Sequence, residues 1–384
     1  MVAVDPSELL LRLLRPFGPG DLIAGRVRWL GVSGDVGLRL RVEVDGAPLW
    51  IDVQPLAEAL RYAARSRSFA FTYRTEGDRR PFDGPKGQAL CRRIAAIAEA
   101  NEAAIMHELE VLSAATPSPD RIRRVRVNQA LEPAGDELRP HYTLSPYVGC
   151  TIGCGYCYAH RQLKPLRRLL RLAPAPWGSY IDIRENLPEV LAAELVRLPP
   201  RPIKLCPIVS DPYQPIESRE RLTRRTLEVI AAAPAVWPTL LLTRSALLLD
   251  DLSLLQRLSQ VAAGVSLPTV DDRVRRHFEP RAASVEQRLA LLERLKGAGI
   301  ATHAVVQPIL PGSIEDLADA LAGATDSVSI DVLRGEGEAS AEFRAATFEG
   351  CSDPEWQVTR ATLLRKALES RGVVVWRGEL PPGL

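Results

Sequence analysis

Cys150, Cys154 and Cys157, in the stretch VGCTIGCGYCYAH, place half of the chain's six cysteines in one short segment. Whatever the chain folds into must present three thiols from one tight loop. Gly149, Gly153 and Gly155 let that backbone curl closely around what the thiols bind. The other cysteines, Cys91, Cys206 and Cys351, are scattered and read as no disulfide framework. The opening MVAVDPSELLLRLLRP carries Asp5 and no basic region before its apolar part, unlike a signal peptide. No apolar run reaches the roughly 18–20 residues that span a bilayer. A cytoplasmic protein with reduced thiols and no membrane partner is therefore expected, and a tight triplet there points to metal or redox chemistry.

The 384 residues, 46% of them hydrophobic, suffice for one large domain with an appendage or for two domains. Residues 1–112 read as a small mixed, β-rich module. IAGRVRWLGVSGD and VGLRLRVEVDGAPLWIDVQP alternate apolar and polar residues as half-buried strands do. Asp45–Gly46 between apolar runs signals a two-residue hairpin, and a helix is expected from about Gly87 to Leu112. Substrate docking and a purely structural cap are both open roles for this module. Residues 113–142, rich in proline, alanine and charge, read as a linker or an extended lead-in. From 143 to 335 short apolar runs recur (IKLCPIVS, TLLLTRS, AAGVSLPT, ATHAVVQPIL, SVSIDVL) with helical stretches between them. Ser284 and Gln287 form a capping box, with Gly297 or Gly299 as the helix stop. This alternation predicts an α/β fold of about six βα units around a parallel sheet or barrel, with chemistry at the carboxyl ends of its strands. Residues 336–384 add a helix near 354–371 and a strand at VVVW.

Three chemistries suit the cysteine triplet. Structural zinc wants four ligands, and no second C-x2-C or H-x3-H pair exists, although His160 lies three residues past Cys157. A redox pair needs only C-x2-C and leaves Cys150 without a role. A [4Fe–4S] cluster on three thiolates keeps one iron open for a small molecule. The spacing C-x3-C-x2-C, with an aromatic before the third cysteine and βα units following, resembles the radical S-adenosylmethionine (SAM) superfamily. SDPYQPIESRERLTRR, LLTRSALLLDDLSLL, VSLPTVDDRVRRHFEP and RLALLERLKGAGIATHAVVQPILPG further resemble its spore photoproduct lyase (SplB-like) branch, in order, over about residues 142–312.

That resemblance implies a partial (β/α)6 TIM-like barrel and reductive cleavage of SAM to a 5′-deoxyadenosyl radical that abstracts hydrogen from a substrate. It implies Cys150, Cys154 and Cys157 as cluster ligands and Tyr156 packed near the adenine. It also implies a SAM site from Arg244, Ser266, Ser210 and Arg281, with Arg244 standing where the lyase has a lysine. For Arg281 an internal ion pair is an equal alternative. Tyr158 matches a hydrogen-relaying tyrosine. Cys206 corresponds to a hydrogen-donating cysteine displaced by two residues, which keeps the same strand face about 7 Å deeper. Ile208 occupies the matching place. Cys91 and Cys351 are expected to be structural. An electron donor such as flavodoxin or ferredoxin is implied as partner, and the substrate is read as a peptide or small metabolite. DNA-lesion repair is the alternative, and a non-catalytic metal-binding protein the second. The net charge of +2 does not favour nucleic acid, and the basic run HRQLKPLRRLLR (160–171) reads as a solvated helix face.

Overall fold

Alternating side chains build the first layer of the molecule. The computed structural model describes residues 6–33, 38–56, 62–75, 85–115, 121–135, 139–160, 163–164, 167, 170, 172–205, 209–333, 343–344 and 346–384. Strands β1 (Leu22–Ala24), β2 (Val27–Ser33), β3 (Leu38–Val44), β4 (Ala47–Pro55), β5 (Ala64–Arg65) and β6 (Phe69–Thr75) form one antiparallel sheet, ordered β1-β2-β3-β4-β6-β5. Leu38, Leu40 and Val42 of β3 point inward, two residues apart. Asp45 (φ 52°) and Gly46 (φ 86°) make the expected tight turn into β4. The Pro85–Ala115 helix lays Leu90, Cys91, Ile94 and Ala98 against this sheet. Its Glu102 accepts hydrogen bonds from Ser66 Oγ (2.7 Å) and from Arg67 N (3.0 Å) and Ser68 N (3.2 Å). Burial pushes the Cys91 thiol up to about 12, so it stays an inert core thiol.

The stretch expected as a linker, 113–142, is more structured than its composition suggests. The helix runs to Ala115, and β7 (Ile122–Val125), β8 (Glu132–Ala134) and β9 (His141–Thr143) follow. These strands are too short to show periodicity; β7 and β9 exist because partners distant in sequence pair with them, and β8 pairs back onto β9. β7 runs parallel to β11 (Ile181–Arg184), which also pairs with β10 (Tyr147–Val148), and β8 is antiparallel to β9.

The main sheet has eight strands in the order β17-β16-β15-β14-β13-β12-β9-β8. Strands β12 (Ile203–Leu205), β13 (Thr239–Thr243), β14 (Val261–Ser266), β15 (Ala301–Val306) and β16 (Ser327–Ile330) run parallel from β9 onward as a partial barrel. β17 (Val374–Trp376) adds a further parallel strand beyond the six expected, where VVVW had suggested a tail strand. Near-continuous burial along β13 and β14 is what a sheet covered on both faces requires. At Gly264 an added Cβ would lie 1.9 Å from the His303 carbonyl oxygen, so no larger residue fits there.

Helices Leu187–Arg197, Leu222–Ala231, Val285–Gly297, Ile314–Ala324 and Pro354–Ser370 supply the connections. The Ser284–Gln287 capping box forms in full, and Gly299 (φ 77°) takes the left-handed turn after that helix. No described helix is long and apolar enough to cross a membrane.

Gln357, buried in the Pro354–Ser370 helix, locks the C-terminal segment onto the strand ends. Its Nε2 donates to the carbonyls of Ile309 and Cys351 (both 2.8 Å), and its Oε1 accepts from Ile309 N (3.3 Å) and Leu333 N (3.2 Å). Gln357→Leu strands these buried backbone groups at a cost of about 2 kcal/mol or more. The melting temperature should fall by roughly 2–6 °C. Substitution of the exposed neighbour Val358 by Ser should leave it unchanged. Equal melting curves for both variants would contradict the lock.

Candidate active site

The loop bearing Cys150, Cys154 and Cys157 is gripped from three sides at the carboxyl end of the parallel sheet. Gly149 (φ 85°) and Gly153 (φ 68°) adopt left-handed backbone that disfavours any side chain. A Cβ at Gly149 would lie 2.5 Å from the Tyr180 carbonyl, and one at Gly153 2.5 Å from Arg281 Nη2. Gln214, fully buried, accepts from Thr151 N (2.9 Å) and donates to the Gly149 carbonyl (3.2 Å) and to Ser210 Oγ (2.9 Å). Arg281 donates through Nε to the Thr151 carbonyl and through Nη2 to the Gly178 carbonyl (2.8 Å). Gly155 N reaches the Phe278 carbonyl at 2.8 Å.

Cys150 and Cys154 are buried and Cys157 half-buried, in one apolar cluster with Ile152, Phe278, Leu310 and Phe343. Burial raises all three thiol pKa values, Cys150 to about 12 with the Asp211 charge adding to it. Without a compensating positive charge these groups stay protonated, and a bound metal deprotonates a coordinating thiol outright. Among the described residues no three His, Cys, Asp or Glu side chains converge as a single-ion site. A polynuclear cluster asks for a different arrangement, because its thiolates surround it on separate metal atoms.

Behind the loop lies a buried ionic network. Glu279, with no solvent exposure, accepts hydrogen bonds from the Tyr156 hydroxyl and Arg244 Nε (2.9 Å) on Oε1, and from Arg288 Nη2 on Oε2. Burial would raise the Glu279 carboxyl, but Arg288 and Arg244 beside it hold it below the ordinary carboxylate range. Arg288, also fully buried, further donates to the carbonyls of Ser266 (2.6 Å) and Ala283 (3.0 Å). Asp211 ties two strand ends together by accepting from Thr243 Oγ1 (2.6 Å), Tyr213 N (2.9 Å) and Arg244 N (2.8 Å).

The residues singled out from sequence fall in three groups. Tyr156, Arg244 and Ser266 gather around Glu279 and its partner Arg288. Ser266 Oγ is buried and has no hydrogen-bond partner among the described residues. Ser210 and Arg281 spend their polar groups on the cysteine loop, Ser210 through Gln214 and its own Oγ contact to the Asp211 carbonyl (3.4 Å). Tyr158 is half-buried just beyond Cys157. Cys206 and Ile208 lie outside the described residues, as does much of the basic run at 160–171. Cys351, expected to be structural, packs in the same cluster as Cys150 and Cys154. Glu279, Arg288, Asp211 and Gln214 escaped the sequence reading. Nothing local in the charged stretch VRRHFEPR marked Glu279 for burial.

Residues 144–324 match the model of the radical SAM superfamily. An uncharacterized protein of Methanocaldococcus jannaschii is 30% identical over 174 residues, 45% of this chain and 62% of that protein. A radical SAM Nalpha-GlyT isomerase of Pseudomonas phage M6 is 26% identical over 186 residues, 47% of this chain and 36% of that protein. The chain thus spans less than two thirds of these curated relatives. A spore photoproduct lyase structure aligns over 66% of this chain and 80% of its own, with 19% identity and a TM-score of 0.48.

A [4Fe–4S] cluster and SAM are the cofactors of such a domain, and the residues present fit them. The glycine-cradled thiols suit a thiophilic cluster, and the orphaned Ser266 hydroxyl awaits a polar ligand atom. If the cradle matters, Gly153→Ala should strain the loop by about 1–3 kcal/mol. Iron incorporation on anaerobic reconstitution should then drop while the far-UV circular dichroism is kept. Gly297→Ala, where a Cβ meets nothing within 4 Å, should load normally. Full iron loading of Gly153→Ala would contradict the cradle.

Proposed function

From the premise that residues 144–324 form a radical SAM domain, we propose that this chain reductively cleaves SAM to 5′-deoxyadenosine and methionine while taking a hydrogen atom from a peptide or small metabolite. The observation that carries this reading is a loop with two buried thiols and one half-buried thiol, beside Arg244 and the orphaned Ser266 hydroxyl at the carboxyl ends of β13 and β14. When bound, the cluster and SAM supply the electron-transfer and hydrogen-abstracting chemistry, and a flavodoxin or ferredoxin is the proposed source of the electron.

The chain's own residues bind, orient and exclude water. Cys150, Cys154 and Cys157 would hold the cluster through their thiolates. Arg244 has its Nε on Glu279, and its Nη groups make no hydrogen bond among the described residues. That leaves the end of the guanidinium for the SAM carboxylate. Ser266 Oγ meets a polar atom of the same ligand. Tyr156, its ring 6.5 Å from that of Phe278, walls the site on the apolar side with Phe278 and Leu310. Arg281 and Ser210 support the cysteine loop, and Tyr158 and Cys206 are the candidates for hydrogen relay.

A peptide or metabolite suits the charge distribution better than a polyphosphate backbone. The chain carries a net charge of only +2, and surface arginines such as Arg124 and Arg371 are already paired with Glu220, Glu315 and Asp319.

Anaerobically reconstituted protein, given SAM and a strong reductant, should release 5′-deoxyadenosine. Cys150→Ala, Cys154→Ala and Cys157→Ala should each lose both the iron chromophore and this product. Protein that binds zinc, takes up no iron and leaves SAM intact would overturn the reading in favour of a structural metal site. Thymine-dimer DNA serves as a second arm. Repair of the lesion would replace the peptide or metabolite assignment with a DNA substrate.

A further inference from the structure

We infer that Glu279 is a positioning residue for SAM: it fixes the Arg244 guanidinium by its Nε so that the two Nη groups stay committed to the SAM carboxylate. This inference rests on the reading of Arg244 given above and deepens it.

Every other part of Arg244 is already held. Its backbone N–H donates to Asp211 Oδ2 (2.8 Å), and its carbonyl accepts from Ala283 N (2.9 Å). The side chain retains partial access to solvent, at 23% exposure, whereas the carboxylate it touches has none. Glu279 therefore anchors an arginine that looks outward from the buried network. Arg288, fully buried on the other carboxylate oxygen, cancels the cost of burying Glu279. Arg244 is thus the second cation on this carboxylate, and it meets Glu279 by its Nε alone, which leaves its Nη end turned elsewhere. Tyr156 shares Oε1 with Arg244 and comes within 3.4 Å of its Nε. The same carboxylate that orients the arginine thereby also pins the aromatic between Cys154 and Cys157. Ser266 enters the arrangement from behind, since Arg288 holds its carbonyl and leaves its hydroxyl unpartnered. One carboxylate thus sets three groups that face one ligand.

The role separates from a merely structural one by what it does to different ligands. The probes are SAM and its decarboxylated analogue, with affinity measured by equilibrium dialysis on the reconstituted protein. Compared at equal iron content, Glu279→Gln should lose about tenfold or more in SAM affinity, while affinity for the decarboxylated analogue changes little. Arg244→Gln should show the same selective loss, and the double variant should be no worse than Arg244→Gln alone. Additive losses, or equal losses for both ligands, would overturn the inference. Should Glu279→Gln fail to fold with Arg288 unpaired, Glu279→Asp keeps the charge and withdraws the anchor by one methylene. A folded Glu279→Asp protein with wild-type SAM affinity and a lowered melting temperature would also overturn it, as a stability effect alone. Failure of the wild-type protein to bind SAM at all would instead refute the proposed function.

Discussion

The ionic contact of Glu279 with Arg244 and Arg288 is the interaction around which the mouth of this barrel is organised. A carboxylate with no solvent exposure is tolerated only when paired and hydrogen-bonded, and here its partners come from three separate elements. Tyr156 belongs to the cysteine loop, Arg244 to the end of β13, and Arg288 to the Val285–Gly297 helix. The pairing fixes where the loop lies relative to the strand ends. Gln214 and Arg281 then hold the loop's own backbone, and the glycines at 149 and 153 let it pass close to Tyr180 and Arg281. A thiol triplet on a wandering loop has no defined span. Held in this way, it presents one.

Much of this was legible in the sequence, and for identifiable reasons. The buried apolar runs of β13, β14 and β15 and the helices between them follow from hydrophobic patterning, and the Ser284–Gln287 box from local chemistry. Asp45–Gly46 announced its turn because few other residue pairs accept positive φ at both positions. The cysteine spacing named its own loop. What stayed hidden depends on contacts distant along the chain. β7, β8 and β9 are too short to carry a period; β7 is a strand through its pairing with β11, β9 through β12, and β8 through β9. Glu279 and Arg244 are 35 residues apart, and Tyr156 lies 123 residues from Glu279. No local pattern reports such a meeting. Arg281 shows the same limit: its presence was noted, but its grip on the Thr151 and Gly178 carbonyls is a fact of the folded chain.

The division of labour that results is simple. The parallel sheet and its helices supply rigidity, and the carboxyl ends of the strands carry the polar groups. The N-terminal sheet and the Pro85–Ala115 helix share an apolar cluster with Val148, Tyr180 and Val209, so the first module packs beside the elements that carry the cysteine loop. On the other flank Gln357 fastens the C-terminal helix to the turns after β15 and β16, and Phe343 and Phe348 close over Phe278 at centroid distances of 4.7 and 5.1 Å. Both appendages thus pack against the elements at the mouth of the barrel.

Electron paramagnetic resonance of the reduced, reconstituted protein tests the central claim most directly, namely that three thiols leave one iron open for SAM. The account predicts a cluster signal whose g-tensor changes when SAM is added and which is lost when any one of Cys150, Cys154 and Cys157 is replaced by alanine. A cluster spectrum unaltered by saturating SAM would contradict it.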